Sequence, residues 1–312
     1  MRHACVASYN SKLDSKNSNQ KHQKKKIIMP ESPELAVSRD RLRQILTGRH
    51  IITLNVGPSG RFLKKVPEGY DRVLKKLSSG PAKVEEVHTK GKFMWWSMSF
   101  PDDMELWYMF STYGMSGGWE VNRSKHTAFS VVVSDHINLF FNDQRRFGTL
   151  KFVRGKKELE KKLATLGPCV LNDEITRETF EKKLLRKPKA PICEALMDQS
   201  CVAGVGNYLR AEILYACRLN PWKVVEDLKP GEWDLLHRET LGLTLQSYRS
   251  QGATLYTWKN ADGEPGRTQF EFKVYGRDRD PDRHVVERHE DSNKRTVHWC
   301  PAVQATDEID PF

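Results

Sequence analysis

The sequence predicts an α+β multidomain protein: an N-terminal β-sandwich with a leading helix, then a helical domain, then a C-terminal β-hairpin. Three observations predict it. From about 50 to 155 short apolar stretches recur at strand spacing, and from about 157 to 250 the apolar period turns helical. The stretch 270–304 then returns to strand character around a charged turn. A chain of 312 residues is long enough for two cores, and eight Trp with 38% hydrophobic residues argue against global disorder.

Residues 1–28 stand apart. Ser11–Lys26 is rich in Ser, Asn, Gln and Lys, and the segment carries +6 of the chain's +11 net charge. It reads as a disordered basic leader, solvated and dispensable, with nuclear import or DNA contact as the functional alternative. A helix start follows, with Ser32 as expected N-cap, Pro33 at the first helical position and Glu34 facing the positive end of the macrodipole. Leu35, Leu42, Ile45 and Leu46 share a face, and Gly48 supplies the stop. Strands are expected at Ile51–Val56, Lys83–Val87, Phe93–Phe100, Phe129–Val133 and Ile137–Phe141, the last two joined through Ser134-Asp135-His136 as a hairpin. Helices are expected at Glu174–Lys187, Pro191–Asp198, Asn207–Arg218 and Glu232–Ser250, and a turn-rich loop at 251–268. The resulting division is 1–28 leader, 29–155 sandwich, 156–268 helical domain with its loop, and 269–312 hairpin and tail.

Charge and cysteine usage bound the function. Lys and Arg outnumber Asp and Glu by 51 to 40, which favours a polyanionic partner. The six cysteines are scattered with no C-x-x-C pair, as in reduced proteins of the cytosol or nucleus rather than secreted disulfide scaffolds. No apolar run approaches a membrane span, and no signal-peptide h-region opens the chain. An intracellular protein is expected, nuclear in a eukaryote and cytoplasmic otherwise.

Five short segments carry the chemistry. They are Met29-Pro30-Glu31-Ser32-Pro33-Glu34, Gly114-Met115-Ser116-Gly117, Arg145-Arg146-Phe147-Gly148 and Gly204-Val205-Gly206-Asn207. The fifth is Phe272-Lys273-Val274-Tyr275-Gly276-Arg277 with Lys294-Arg295-Thr296 before Trp299-Cys300-Pro301. Each alone reads equally as a helix start, a loop, a cap or a surface hairpin. Together, in this order and at these spacings, they resemble the formamidopyrimidine-DNA glycosylase/endonuclease VIII (Fpg/Nei) family over residues 29 to about 304. The resemblance implies a helix–two-turn–helix domain after the sandwich, a zinc or zincless finger, and DNA in the cleft between.

It also implies the roles. Pro30, once N-terminal, would be the nucleophile: an α-amine titrates near 8, well below lysine, so an appreciable fraction is free at neutral pH. Its attack on C1′ of the damaged nucleotide gives an iminium that drives β- and δ-elimination, with Glu31 as the proton donor to the deoxyribose ring oxygen. Glu34 and Glu212 are supporting acids. Met115, Arg145 and Phe147 match the side chains that fill the gap left by an extruded base. Lys92, Arg146, Asn207 and Arg295 match phosphate contacts, and Lys189 is a weaker match between Pro188 and Pro191. No cofactor is expected. The partner is double-stranded DNA bearing oxidised bases or abasic sites, and the protein is expected to be a monomer.

The chain departs from the family in its finger. The positions of the four zinc thiolates read Asp282, Val285, Cys300 and Val303, so a zincless finger like those of some Nei-like members is expected. A substitute zinc site from His284, His289, His298 and Cys300 is the alternative. The finger and Phe270–Val274 resemble Nei enzymes, implying oxidised pyrimidines and ring-fragmented purines; the loop 252–268 resembles Fpg enzymes that take 8-oxoguanine. Two other readings stand beside these: a damage-binding protein in which Pro30 stays locked in its peptide bond, and an RNA-binding protein, for which no motif speaks. A chain whose nucleophile works needs Met29 as initiator, or a leader that is cleaved.

Overall fold

The structure, a computed structural model, describes residues 30–58, 60–253, 261–262 and 270–305. The expected leader 1–28, Met29 and most of the loop 252–268 lie outside the described residues.

Helix α1 (Ser32–Leu46) opens the fold, and its N-cap is Glu31 rather than Ser32. The Glu34 carboxylate accepts from the Glu31 N–H at 2.9 Å, which makes Glu31 the last residue before the helix. The Ser32 hydroxyl is instead buried without a hydrogen-bond partner among the described residues. Leu35, Leu42 and Leu46 pack into the sheet core while Val37 packs into the helical core. The helix therefore joins both units, more than the single apolar face in its sequence implied.

Eight strands follow: β1 (His50–Val56), β2 (Ala82–Lys90), β3 (Phe93–Phe100), β4 (Asp103–Thr112), β5 (Gly117–Glu120), β6 (Thr127–Val133), β7 (Asn138–Asp143) and β8 (Thr149–Arg154). They form one antiparallel sheet in the order β5-β7-β6-β1-β2-β3-β4-β8. The expected sandwich is thus one hydrogen-bonded sheet folded on itself. β1 and β2 pair only at His50–Lys83 and Ile51–Ala82, so the halves diverge there and face each other. Trp96 of β3 meets Trp119 of β5 at 4.8 Å between ring centroids, and Phe129 of β6 meets Phe152 of β8 at 6.1 Å. Each such buried aromatic contributes about 1.5–3 kcal/mol relative to exposure. The β6–β7 turn has Asp135 and His136 at φ 60° and 58°, the two positive values a two-residue hairpin of right-handed twist needs.

Helices α2 (Tyr70–Leu77) and α3 (Lys156–Ala164) and strands β4, β5 and β8 lay outside the expected elements. α3 is charged at six of its nine residues and packs through Leu159 against Phe93, Tyr108 and Val153 on the outer face of the sheet. The second unit holds α4 (Arg177–Leu184), α5 (Ile192–Ala195), α6 (Asn207–Ala216) and α7 (Pro230–Arg249). Expected Glu174–Lys187 shortens because Thr176 caps α4, accepting from the Thr179 N–H at 3.2 Å. Expected Pro191–Asp198 shrinks to one turn, since the chain then folds into the tight 196–206 connection held by Gln199. That side chain donates to the carbonyls of Met197 and Val205 and accepts from the Gly204 N–H.

Strands β9 (Glu287–Glu290) and β10 (Thr296–Trp299) form the expected C-terminal hairpin, followed by the short α8 (Pro301–Gln304). Among the described residues no helix is long and apolar enough to cross a membrane.

Candidate active site and DNA interface

The site lies where α1 meets α6. Glu31 is buried, and its carboxylate accepts from the backbone N–H groups of Gly206 (2.6 Å), Tyr208 (2.8 Å) and Leu209 (3.3 Å). These are unsatisfied donors at the α6 N-terminus, where a negative charge is favoured. Burial still dominates: it raises the Glu31 pKa to about 7, against the lowering influence of Lys92. Pro30, also buried, immediately precedes this carboxyl.

Gly206 is required by close approach. A Cβ there would collide with both the Glu31 carboxyl and the Lys92 ammonium, so the two charged groups converge on one bare backbone position. Lys92 stands at the β2–β3 turn, whose Gly91 N–H donates to the buried Cys169 thiol at 3.2 Å. Desolvation pulls the Lys92 pKa below its ordinary value; Glu31 opposes this, and the Arg295 charge adds to it. Arg295 therefore lies within electrostatic reach of Lys92.

Glu34 is fully buried beneath Glu31. It accepts from the N–H groups of Glu31 and Ala253 and from the Tyr208 hydroxyl at 3.0 and 3.1 Å to its two oxygens. Burial raises its pKa despite these donors. Glu212, on the same α6, accepts from the N–H groups of Lys273, Val274 and Tyr275 at 2.8–3.0 Å. Both carboxylates thus hold chain segments in place.

The C-terminal hairpin is pinned to α6 as well. The Asn207 amide donates to the Thr296 carbonyl at 3.0 Å, and its oxygen accepts from Arg210. Arg210, fully buried, donates to Asp291 at 2.6 Å and to the Thr296 carbonyl at 3.1 Å. Asp291 in turn accepts from the Asn293 and Arg295 N–H groups, which shapes the turn that presents exposed Arg295.

Met115, Arg145, Arg146 and Phe147 lie on two adjacent loops. Asp143 ties them: one oxygen accepts from the Ser116 hydroxyl, the other from the Gly148 N–H, each at 2.7 Å. Gly114 lies so close to Phe147 that a side chain there would strike its backbone. Phe147 is 53% exposed, with the Arg145 guanidinium 5.4 Å above its ring, so it is not a core residue. Lys189 is exposed and ion-paired to Glu226, and among the described residues no hydrogen bond or ion pair joins it to the other candidates.

Comparison with known proteins agrees with this geometry. Residues 29–150 match the formamidopyrimidine-DNA glycosylase N-terminal domain and residues 166–257 its H2TH domain. The chain is 30% identical to formamidopyrimidine-DNA glycosylase of Halalkalibacterium halodurans over 252 residues, 80% of this chain and 89% of that one. It is 33% identical to the enzyme of the same name from Salmonella paratyphi C over 262 residues, 82% and 91% of the two chains.

The chain belongs to the formamidopyrimidine-DNA glycosylase family.

It is a DNA-repair enzyme of that family, a glycosylase with lyase activity at apurinic or apyrimidinic sites. The MutM (Fpg) protein of Thermus thermophilus superposes with a TM-score of 0.75 at 28% identity, covering 89% of this chain and all of that one. The fold is also that of Lactococcus lactis Fpg, solved with DNA containing an abasic site (TM-score 0.76, 23% identity, 88% and 100% covered). Sequence reading missed four residues that organise this family member's site: Asp143, Tyr208, Arg210 and Asp291. Tyr208 and Arg210 follow just after the Gly204-Val205-Gly206-Asn207 motif, but their side-chain partners lie up to 174 residues away in sequence, beyond any local signal.

Proposed function

We propose that this enzyme removes oxidised bases from double-stranded DNA through a Schiff base on Pro30, with oxidised pyrimidines and ring-fragmented purines as favoured lesions. The observation that carries the reading is the Glu31 carboxyl, buried beside Pro30 and titrating near 7, at the N-terminus of α6. A carboxyl with that value is still partly protonated at neutral pH and can give its proton to the deoxyribose ring oxygen.

The free amine of Pro30 attacks C1′ and the glycosidic bond breaks, releasing the base. Proton transfer from Glu31 opens the sugar ring, and the nitrogen lone pair forms the C=N bond of a cationic iminium. Loss of a C2′ proton then expels the 3′ phosphate, and a second elimination expels the 5′ phosphate. Inside a peptide bond the Pro30 nitrogen is an amide without a usable lone pair, so the reaction needs a chain that begins at Pro30.

Exposed Phe147 with Arg145 and Met115 would fill the stack vacated by the extruded nucleotide. Lys92, Arg146, Asn207 and Arg295 would bind flanking phosphates; the α6 N-terminus and the Arg295 turn support this. Lys189 would contribute at most a peripheral contact, given its pairing with Glu226. The finger, which keeps only Cys300 of the four thiolates, would work without zinc.

A second reading has specific support. The relatives named above are formamidopyrimidine enzymes, which favours formamidopyrimidine and 8-oxoguanine over pyrimidine lesions. Borohydride trapping of protein beginning at Pro30 decides both points, on duplexes carrying thymine glycol, dihydrouracil, 8-oxoguanine, formamidopyrimidine or an abasic site. Capture is expected on abasic DNA and strongest among the intact lesions on thymine glycol and dihydrouracil. No capture on any duplex overturns the mechanism, and stronger capture on 8-oxoguanine overturns the lesion preference.

A further inference from the structure

The base of the finger holds a cluster that the activity does not use. Asp280, with its side chain wholly buried, gathers four polar contacts. The His284 backbone N–H reaches one carboxylate oxygen at 2.8 Å. The other oxygen takes the His284 ring Nδ1 at 3.0 Å, the Tyr215 hydroxyl at 3.1 Å and the Cys300 thiol at 3.6 Å. His284 lies just before β9, and Cys300 directly follows β10. Tyr215 belongs to α6. One carboxylate therefore joins both feet of the hairpin to the helix whose N-terminus holds Glu31.

The resemblance to four-thiolate fingers raises a zinc ion as the occupant of this cluster. Among the described residues, Asp280, His284 and Cys300 are the one group of three His, Cys, Asp or Glu ligand atoms within 4.8 Å of one another. A structural zinc site is closed by four protein ligands. Asp282 is exposed, Val285 is 56% exposed, and neither Val285 nor Val303 offers a donor atom. The Asp280 oxygens, moreover, already face hydrogen-bond donors rather than an open centre. The residues do not fit a closed zinc site.

We propose that Asp280 is a positioning residue that seats the finger on α6 by hydrogen bonds where relatives use a metal, and that through the finger it sets Arg295 against DNA. The proposal deepens the function above and rests on the phosphate-binding role given there to Arg295. Its logic is mechanical. The Asp280 cluster fixes the two strand ends, and the Arg210–Asp291 pair fixes the far turn, so Arg295 stands on a hairpin held at both ends.

The test uses the full chain, its zinc content by elemental analysis, and its binding to duplexes with and without a tetrahydrofuran abasic analogue. Asp280→Asn should weaken binding to the analogue duplex by about tenfold, and Arg295→Ala by a similar factor. The double variant should bind little worse than either single one, because both changes remove the same contact. Tyr215→Phe, which deletes one donor and keeps the ring, should show a smaller loss of the same kind and serves if Asp280→Asn does not fold. Zinc should be far below one per chain, and chelator should leave binding and Tm unchanged. Multiplying losses in the double variant, or one zinc per chain whose removal abolishes binding, would overturn the proposal. Equal affinity of the wild type for damaged and intact duplexes would sink the repair reading itself; the two failures are therefore distinct.

Discussion

Replacing Glu31 by Gln separates what this carboxyl does for stability from what it does for chemistry. Burial raises its pKa from 4.5 to about 7, so the folded chain holds the proton more tightly than the unfolded one. The stabilisation that proton provides is complete below pH 4.5 and is lost as pH rises to about 7. At about 1.4 kcal/mol per unit, the wild type gives up roughly 2–3 kcal/mol between pH 5 and pH 8 through this group. Glutamine does not titrate. Its NH2 group must face one of the N–H donors of Gly206, Tyr208 or Leu209, and an orphaned donor costs about 1–3 kcal/mol at any pH. The wild type should therefore be the more stable protein at pH 5, and the gap should close or invert by pH 8. Urea unfolding followed by tryptophan fluorescence at the two pH values measures it, with a relative midpoint change of about 1 M. Base excision by Glu31→Gln should fall at least about a hundredfold, the ordinary contribution of a general acid. A stability difference that stays constant from pH 5 to 8 would refute the account of a buried, protonated Glu31.

Other perturbations test neighbouring parts. Gly206→Ala drives a methyl group into the Glu31 carboxyl and Lys92 ammonium; borohydride trapping should fall at least about tenfold while far-UV circular dichroism stays unchanged. Phe147→Ala should alter Tm little, as an exposed substitution changes stability by about 0.5 kcal/mol or less, yet weaken binding to lesion duplex in a fluorescence anisotropy titration. Arg210→Met leaves Asp291 buried without its cation and should destabilise by about 3–5 kcal/mol in calorimetry or urea unfolding; Arg210→Met with Asp291→Leu should recover much of that loss.

The sequence by itself determined the class of the protein and supplied the residues proposed to act in it. Pro30, Glu31, Asn207 and Arg295 stand out in the sequence because the roles proposed for them depend on local context: a proline beside a helix start, a cap, a helix N-terminus, a hairpin turn. Strands such as β3 were legible from apolar runs, and β9–β10 from the charged turn between them. Polar α3 and the β4 start Asp103-Met104-Glu105 were not, because a helix with one buried leucine and a strand entering through charges carry little periodic signal. Only the tertiary structure decided what holds the functional residues. It moved the α1 cap from Ser32 to Glu31, whose N–H donates to Glu34 and whose own carboxylate is held by donors at the start of α6, 175 residues onward. It showed Asp143 joining two loops, Arg210 clamping the finger, and Asp280 gathering both hairpin feet. Local pattern encodes the free energy of single elements, but a buried carboxylate or guanidinium is stable only where distant backbone and side chains supply its partners, and those appear once the chain has folded.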